Sequence, residues 1–244
     1  TPMDEWRPAS DHTKSGFNVW SKPPTHSLTA TEDVARMLLP GYAMAVGDIH
    51  NAFALIPLST KIWQYMFFTW YNLEDDDDCN EYLYANLFAD FGSRGAPEAF
   101  RTLFVEAIIG IARSEGVVDL CKEIPIHVDD FCFINVAAGM ADANMEGFQH
   151  FLTELGILLK NNNFSRAASK QLMLGFIWDS LAQTRQLTEP RRDRYTSDWK
   201  RHATQKALSL KERQSDIGRL HRQFLHCRAG LLSIWQIYSQ LSEA

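Results

Sequence analysis

Two aspartates stand side by side, Asp129 and Asp130, inside an apolar run in which Ile124 and Ile126 precede them and Phe131, Phe133 and Ile134 follow. Apolar residues of this kind form buried strands. Adjacent carboxylates within them repel one another and resist leaving water. They are tolerable at a turn between two strands that faces something positive. Hard divalent cations such as Mg²⁺ take carboxylate oxygens; the plain alternative is a solvated hairpin tip. A third acid, Asp48, lies in the segment AVGDIHNAFALIPL (residues 45–58), where an apolar strand again delivers one carboxylate and runs on into apolar and small residues.

The elements that must position these acids can be placed from periodicity and turn chemistry. Residues 27–39 read as a helix, with Thr31 able to cap it, Glu32 and Asp33 in its first turn, and Pro40-Gly41 as its stop. A strand then leads to Asp48. Residues 62–70 alternate as a strand, with 82–87 as its hairpin partner and the acidic run Glu74 to Asp78 as a solvated connection. A glycine-rich turn, Phe91-Gly92-Ser93-Arg94-Gly95, opens a helix at Pro97 that runs to about Glu115. Two strands surround Asp129-Asp130, residues 141–155 form a helix ended by Gly156, and residues 172–177 form a strand. From Arg191 onward the chain is mostly helical, with residues 187–190 as the boundary. The fold class is therefore α+β, an antiparallel sheet backed by helices with a helical C-terminal lobe.

At 244 residues, 45% hydrophobic and 22% charged, the chain has the composition of one or two globular domains. No apolar run reaches the roughly 18 residues of a membrane span, and no basic-then-apolar leader opens it, so an intracellular protein of cytoplasm or nucleus without membrane association is expected. Cys79, Cys121, Cys132 and Cys227 lack paired spacing and read as reduced thiols, and His221 with His226-Cys227 makes no zinc pattern. The net charge of −6 is unevenly spread: residues 185–228 hold 12 Lys and Arg against 5 Asp and Glu, +7, leaving −13 elsewhere. A basic lobe beside an acidic one suits a protein that grips a phosphate backbone and loads metal; a solvated helical surface is the simpler reading.

The order D-x-x-x-A-F (Asp48 to Phe53), F-G-x-x-x-A-P-x-x-F (Phe91 to Phe100), x-V-D-D (His127 to Asp130) and L-G (Leu174-Gly175) resembles the palm motifs of the reverse transcriptases of retroelements, closest to long-terminal-repeat and DIRS-type elements. Gly156 to Leu159 resembles the motif before L-G, Trp6-Arg7-Pro8 with Asp11 resembles the end of the fingers, and the stretch Lys211 to Leu220 resembles a thumb. The resemblance covers most of the chain. It implies a right-hand polymerase fold: fingers from residues 1–40 and 59–90, incomplete at the N-terminus, palm from 41–58 and 91–187, and thumb from 188–244.

The resemblance also implies roles. RNA-directed DNA synthesis uses two Mg²⁺ ions, with Mn²⁺ an acceptable substitute, to activate a primer 3′-hydroxyl and neutralise the triphosphate. Asp48 and Asp129 are the expected ligands, with the carbonyl of Ile49, and Asp130 is a third carboxylate closer to the primer end. Phe53 would close the sugar pocket against a 2′-hydroxyl, selecting dNTPs; a plain core phenylalanine is the alternative. Backbone amides at His50 and Asn51 would hold phosphate oxygens, Arg7 the triphosphate, and Phe91 would pack near the incoming base. In relatives a lysine upstream of the Trp6 position assists the arginine, so either Lys14 or Lys22 substitutes or that strand precedes Thr1. Gly92 and Gly95 would allow close approach of template, and Arg94 either touches nucleic acid or is solvated. His127 stands where relatives often carry tyrosine near the primer end, and Asp90 where they carry proline. Leu174, Gly175 and Phe176 resemble the primer grip, or are core strand; Arg219, Arg222 and Arg228 would follow the duplex or simply face solvent. Lys160 is offset by about two positions from the lysine that protonates pyrophosphate in relatives, which leaves that role unassigned.

The expected partners are an RNA template, a DNA primer or RNA–DNA duplex, and dNTPs. No ribonuclease H activity is expected within these residues. The competing reading is a catalytically inactive reverse-transcriptase-like RNA-binding scaffold. Phe53 argues against an RNA product, and the lack of room for an RNA-binding domain against a telomerase-like enzyme.

Overall fold

A computed structural model describes His12, Lys14, residues 16–20, 31–71, 81–119, 124–204, 209, 212, 214–216 and 218. The chain divides into two units: residues 1–174 with 179–183, and residues 175–178 with 184–244.

In the first unit, helix α1 (Phe17–Trp20) and helix α2 (Thr31–Met37) precede strand β1 (Ala43–Asp48). Glu32 and Asp33 occupy the first turn of α2 and Arg36 its last, each on the side the helix dipole favours. Gly41, at φ 78°, lies in the left-handed region. A 3₁₀ turn (Ala52–Leu55) and a short helix α3 (Thr60–Trp63) follow β1, and then strand β2 (Phe67–Tyr71) pairs with strand β3 (Glu81–Ala85) as a separate two-stranded ribbon. The strand expected from Ile62 thus begins only at Phe67. Backbone bonds from Ile62 to Ser59 (2.8 Å) and Met66 to Trp63 (3.0 Å) close helical turns where alternation alone read a strand, and the Trp63 indole N–H donates to the Leu58 carbonyl (3.0 Å).

Helix α4 (Ala96–Arg101) begins with Pro97 in its first turn, runs into a π-helical stretch (Thr102–Ile108), and continues as helix α5 (Ile109–Ser114). This spans the helix expected from Pro97. Strands β4 (Ile126–His127) and β5 (Asp130–Asn135) form a hairpin, followed by helix α6 (Ala138–Glu154) and strands β6 (Ser165–Ala168) and β7 (Lys170–Met173).

The main sheet has the order β4-β5-β1-β6, and β1 runs antiparallel to both its neighbours. Its register explains the small residues of β1. Ala43, Ala45 and Gly47 pair with Asn135, Phe133 and Phe131 on one face, so small side chains lie opposite large ones. The Phe131 and Phe133 rings project to α6, where Phe148 meets them at 5.5 and 5.6 Å between centroids, and Phe104 and Phe100 extend the aromatic core. Met44, Val46 and Asp48 take the opposite face with Ile134, Cys132 and Asp130. Cys132 is fully buried there, and burial pushes its thiol pKa up, which leaves it inert as a nucleophile. Ser180 tethers the start of β1: its hydroxyl donates to the Tyr42 carbonyl (2.6 Å), and its carbonyl accepts from the Gly41 amide (3.3 Å).

In the second unit, strand β8 (Phe176–Asp179, all but Asp179 within this unit) pairs with strand β9 (Thr184–Leu187), and helix α7 (Glu189–Thr204) follows. The single strand expected over residues 172–177 is broken, because Leu174 (φ 53°) and Gly175 (φ 76°) both lie in the left-handed region and reverse the chain. A Cβ on Gly175 would fall on the Arg191 guanidinium, so the position needs glycine on two counts. The mixed helix and antiparallel sheet is the α+β class expected. Among the described residues no helix is long and apolar enough to cross a membrane.

Candidate active site

Asp48 and Asp130 are direct cross-strand partners at the ends of β1 and β5, and His127 pairs with Asp130 from β4 on its other side. Paired residues share a face of the sheet, so one row reads His127, Asp130, Asp48. Like charges directly opposite one another destabilise a sheet. The row therefore costs stability unless something positive meets it.

Asp129 belongs to the two-residue turn between β4 and β5. Its carbonyl accepts from the Ile49 amide (2.9 Å), which ties the turn to the residue after Asp48. Its neighbour in the turn, Val128, sits at φ 57°. Hairpin turns with positive φ at the first central residue match the twist of the flanking strands and usually place glycine there. A β-branched residue in that region is a true outlier, and such strain costs about 1–3 kcal/mol and concentrates at functional sites.

The acids share one field. Asp130 has its pKa pushed up to about 6, first by burial, then by the charges of Asp129 and Asp48, with His127 and Lys160 working the other way. Carboxylate oxygens gathered on neighbouring strands form a donor set that a hard cation prefers. Among the described residues, however, no three His, Cys, Asp or Glu side chains close to metal-holding distance.

Lys160 enters from the opposite side. Past Asp48 the strand is continued by an Ile49–Leu159 antiparallel bridge, and the His50 amide donates to the Leu158 carbonyl (2.9 Å). One step beyond that bridge, Lys160 Nζ lies 3.4 Å from Asp48 Oδ2. The offset counted along the chain hid this residue. Register across the sheet, which no motif spacing reveals, is what delivers it. The same bond corrects the expectation for His50: its amide is occupied by Leu158 and is not available to phosphate. The His50 and Asn51 side chains remain exposed and bonded to one another (3.0 Å), with Asn51 at φ 51°, a conformation asparagine tolerates.

Phe53 is buried, 7% exposed, and its ring meets Phe91 edge-on at 4.9 Å and Phe100 at 6.3 Å. Phe53 is thus a core residue packed beside Phe91. Gly92, at φ 113°, lies in backbone space open to few other residues, and Arg94 is exposed. This loop is held from the N-terminal segment. The Asn18 amide donates to the Gly92 carbonyl (2.8 Å) while its oxygen accepts from the Arg94 amide (2.9 Å). His12 Nε2 and Asp90 Oδ1 are 2.8 Å apart, each side chain 8% exposed. Asp90, which departs from the proline of relatives, therefore has a buried partner 78 residues away.

In the second unit, Phe176 and Trp178 are buried, 3% exposed each, and the Arg185 guanidinium lies 4.4 Å and 5.4 Å from their ring centroids. In the first unit Leu174 is 8% exposed. These side chains are core. Arg7, Lys22, Arg219, Arg222 and Arg228 lie outside the described residues.

No protein-family model matches the chain, and no curated protein matches it. Solved structures do. The structure of a foamy viral protease-reverse transcriptase in complex with double-stranded DNA aligns with 100% of this chain and 38% of its own, at 18% identity and TM-score 0.67. A foamy viral protease-reverse transcriptase in complex with an RNA/DNA hybrid aligns with 100% of this chain and 29% of its own, at 18% identity and TM-score 0.63. A third, in complex with double-stranded DNA, aligns with 91% and 41%, at 19% identity and TM-score 0.54. The chain thus spans less than half the length of these proteins, and it has a reverse-transcriptase-like fold.

Proposed function

We propose that this chain is the polymerase core of an RNA-directed DNA polymerase of retroelement type, adding dNTPs to a primer 3′-hydroxyl on an RNA or DNA template. The observation that carries this reading is the row of acids across two central strands: Asp48 directly opposite Asp130, with Asp129 on the adjoining turn bonded to the residue after Asp48. A fold has no reason of its own to set like-charged carboxylates so close, and burial, together with the charges of Asp129 and Asp48, raises the Asp130 pKa.

Asp48, Asp129, the Ile49 carbonyl and, less directly, Asp130 would hold two Mg²⁺ ions, which Mn²⁺ could replace. When bound, such ions lower the pKa of the primer hydroxyl and neutralise charge on the triphosphate. The chain's own residues do the rest. Phe53, fixed by Phe91 and Phe100, presents a wall that excludes a 2′-hydroxyl. The exposed side chains of His50 and Asn51 offer donors to phosphate, and Arg7 a bidentate fork. Gly92, Gly95 and Arg94 border the template, His127 donates near the primer terminus, and the Leu174-Gly175-Phe176 backbone supports the primer. The basic residues of 185–228, Arg219 and Arg222 among them, follow the duplex. The structurally similar foamy viral proteins, solved in complex with double-stranded DNA and with RNA/DNA hybrid, support nucleic acid as the partner.

Primer extension on an RNA template tests the reading. Metal-dependent extension with dNTPs, abolished by Asp129→Asn in a protein that still folds, is expected; normal extension by that variant would sink it. The specific observation favouring the scaffold alternative is that no three donor side chains close to metal-holding distance among the described residues. Folded wild-type protein that binds primer–template, yet takes up no Mg²⁺ and extends nothing, would establish that alternative.

A further inference from the structure

Resting on the metal-binding role of these carboxylates, we propose that Lys160 is a competing counter-ion of Asp48: its ammonium and a divalent cation contend for the same carboxylate oxygen, so metal entry requires Lys160 to withdraw. The contact is specific. Nζ lies 3.4 Å from Oδ2, with half of the lysine side chain and about a third of the aspartate side chain exposed. Exposure on both sides gives an entering cation a path and gives the lysine somewhere to go.

The backbone fixes where the lysine starts. The Ile49–Leu159 bridge sets it opposite Asp48. Lys160–Asn162 is then a 3₁₀ turn whose Asn161 and Asn162 both lie in the left-handed region, and the Gln149 side chain of α6 donates to the Asn162 carbonyl (3.2 Å). The turn places the lysine backbone, and the flexible four-carbon stem lets the ammonium swing away. The charge arithmetic supplies the reason for the arrangement. Asp48 has an acid, Asp130, as its strand partner on one side and Lys160 on the other. The Lys160 charge also reaches Asp130, where it opposes the effect of Asp129 and Asp48. One ammonium offsets part of the repulsion among three acids. A divalent cation offsets more, and several oxygens can share it, so the cation displaces the ammonium at a cost in affinity.

The cost is bounded by what a partly exposed ion pair contributes, so its removal should tighten metal binding by about two- to fivefold. The test is calorimetric titration of Mg²⁺, repeated with Mn²⁺, into nucleotide-free wild-type protein, Lys160→Gln and Lys160→Arg. Tighter binding by Lys160→Gln, with Lys160→Arg at the wild-type value, is the expected result. Equal or weaker binding by Lys160→Gln overturns the counter-ion role and leaves the metal site standing, as does equal tightening in both variants, since the charge would then not be the cause. If wild type and Lys160→Gln both fail to take up either ion, the metal-binding reading falls and the proposal falls with it.

Discussion

The Phe131 ring lies over Gly47, its cross-strand partner, so closely that a Cβ at position 47 would stand inside van der Waals contact with three ring atoms. Gly47 precedes Asp48 and Phe131 follows Asp130, so this contact packs the sheet directly beside the paired acids. Gly47→Ala should cost about 1–3 kcal/mol as an overpacked core does. In a Phe131→Ala background the same change should cost less, because the ring it collides with is gone. Urea unfolding of the four proteins measures the coupling; additive costs would show that the ring does not impose the glycine.

Asp130 makes stability depend on pH. Its pKa stands at about 6 in the folded chain, against 3.8 for the ordinary side chain. Below the lower value it is protonated whether folded or not, and nothing is lost. Between the two the folded state binds the proton more tightly, so stability falls as pH rises, and above about 6 the full cost of the confined charge is present. About two units correspond to roughly 3 kcal/mol, which solvent screening of a partly exposed group reduces to about 1–2 kcal/mol. In the absence of divalent ions, Asp130→Asn should therefore gain on wild type between pH 4 and pH 7. Denaturant titrations at both values test this, and parallel wild-type and variant curves would refute it.

How much of this was legible in the sequence follows from the range of the interactions. The three acids stood out because each breaks a strongly apolar strand, and the local patterns around Asp48, Pro97 and Asp129 correctly foretold strand, helix and hairpin. The strand expected from Ile62 failed because backbone bonds from Ile62 to Ser59, Tyr65 to Ile62 and Met66 to Trp63 close turns that alternation does not register. The break at Leu174-Gly175 was hidden because apolar residues continue through it. Two site features depend on distant pairing and so leave no local trace. Lys160 reaches Asp48 only through the Leu159–Ile49 bridge, and Asp90 meets His12 only across 78 residues of chain. The His50 amide has its partner, Leu158, more than a hundred residues on, so no local pattern marks it as occupied.

Phe53 should govern sugar choice. Its ring is pinned by Phe91 and Phe100, so shortening it opens space that neighbouring side chains cannot readily refill. Phe53→Val should raise rNTP incorporation relative to dNTP by about 10–100-fold, the scale on which hydrophobic pockets discriminate by size. The readout is the ratio of kcat/KM for the two sugars in primer extension, with circular dichroism confirming the fold. An unchanged ratio in an active variant would leave Phe53 as a core residue alone.

His12 and Asp90 should act as one unit that positions the loop bearing Phe91 and Arg94. Their side chains are almost wholly buried and 2.8 Å apart. Two residues along the chain from Asp90, Gly92 accepts from Asn18, which also holds the Arg94 amide. Removing one member leaves the other without that bond in a site water barely enters, which costs about 1–3 kcal/mol. Removing both leaves no stranded partner. His12→Ala and Asp90→Ala should therefore each destabilise clearly, and the double variant by less than their sum, with a coupling of at least about 1 kcal/mol. A purely structural pair would move stability alone. A positioning pair also raises KM for dNTP with little change in kcat, if the loop borders the nucleotide as proposed. Additive costs in unfolding, or an unchanged KM in a folded double variant, would separate this pair from the site.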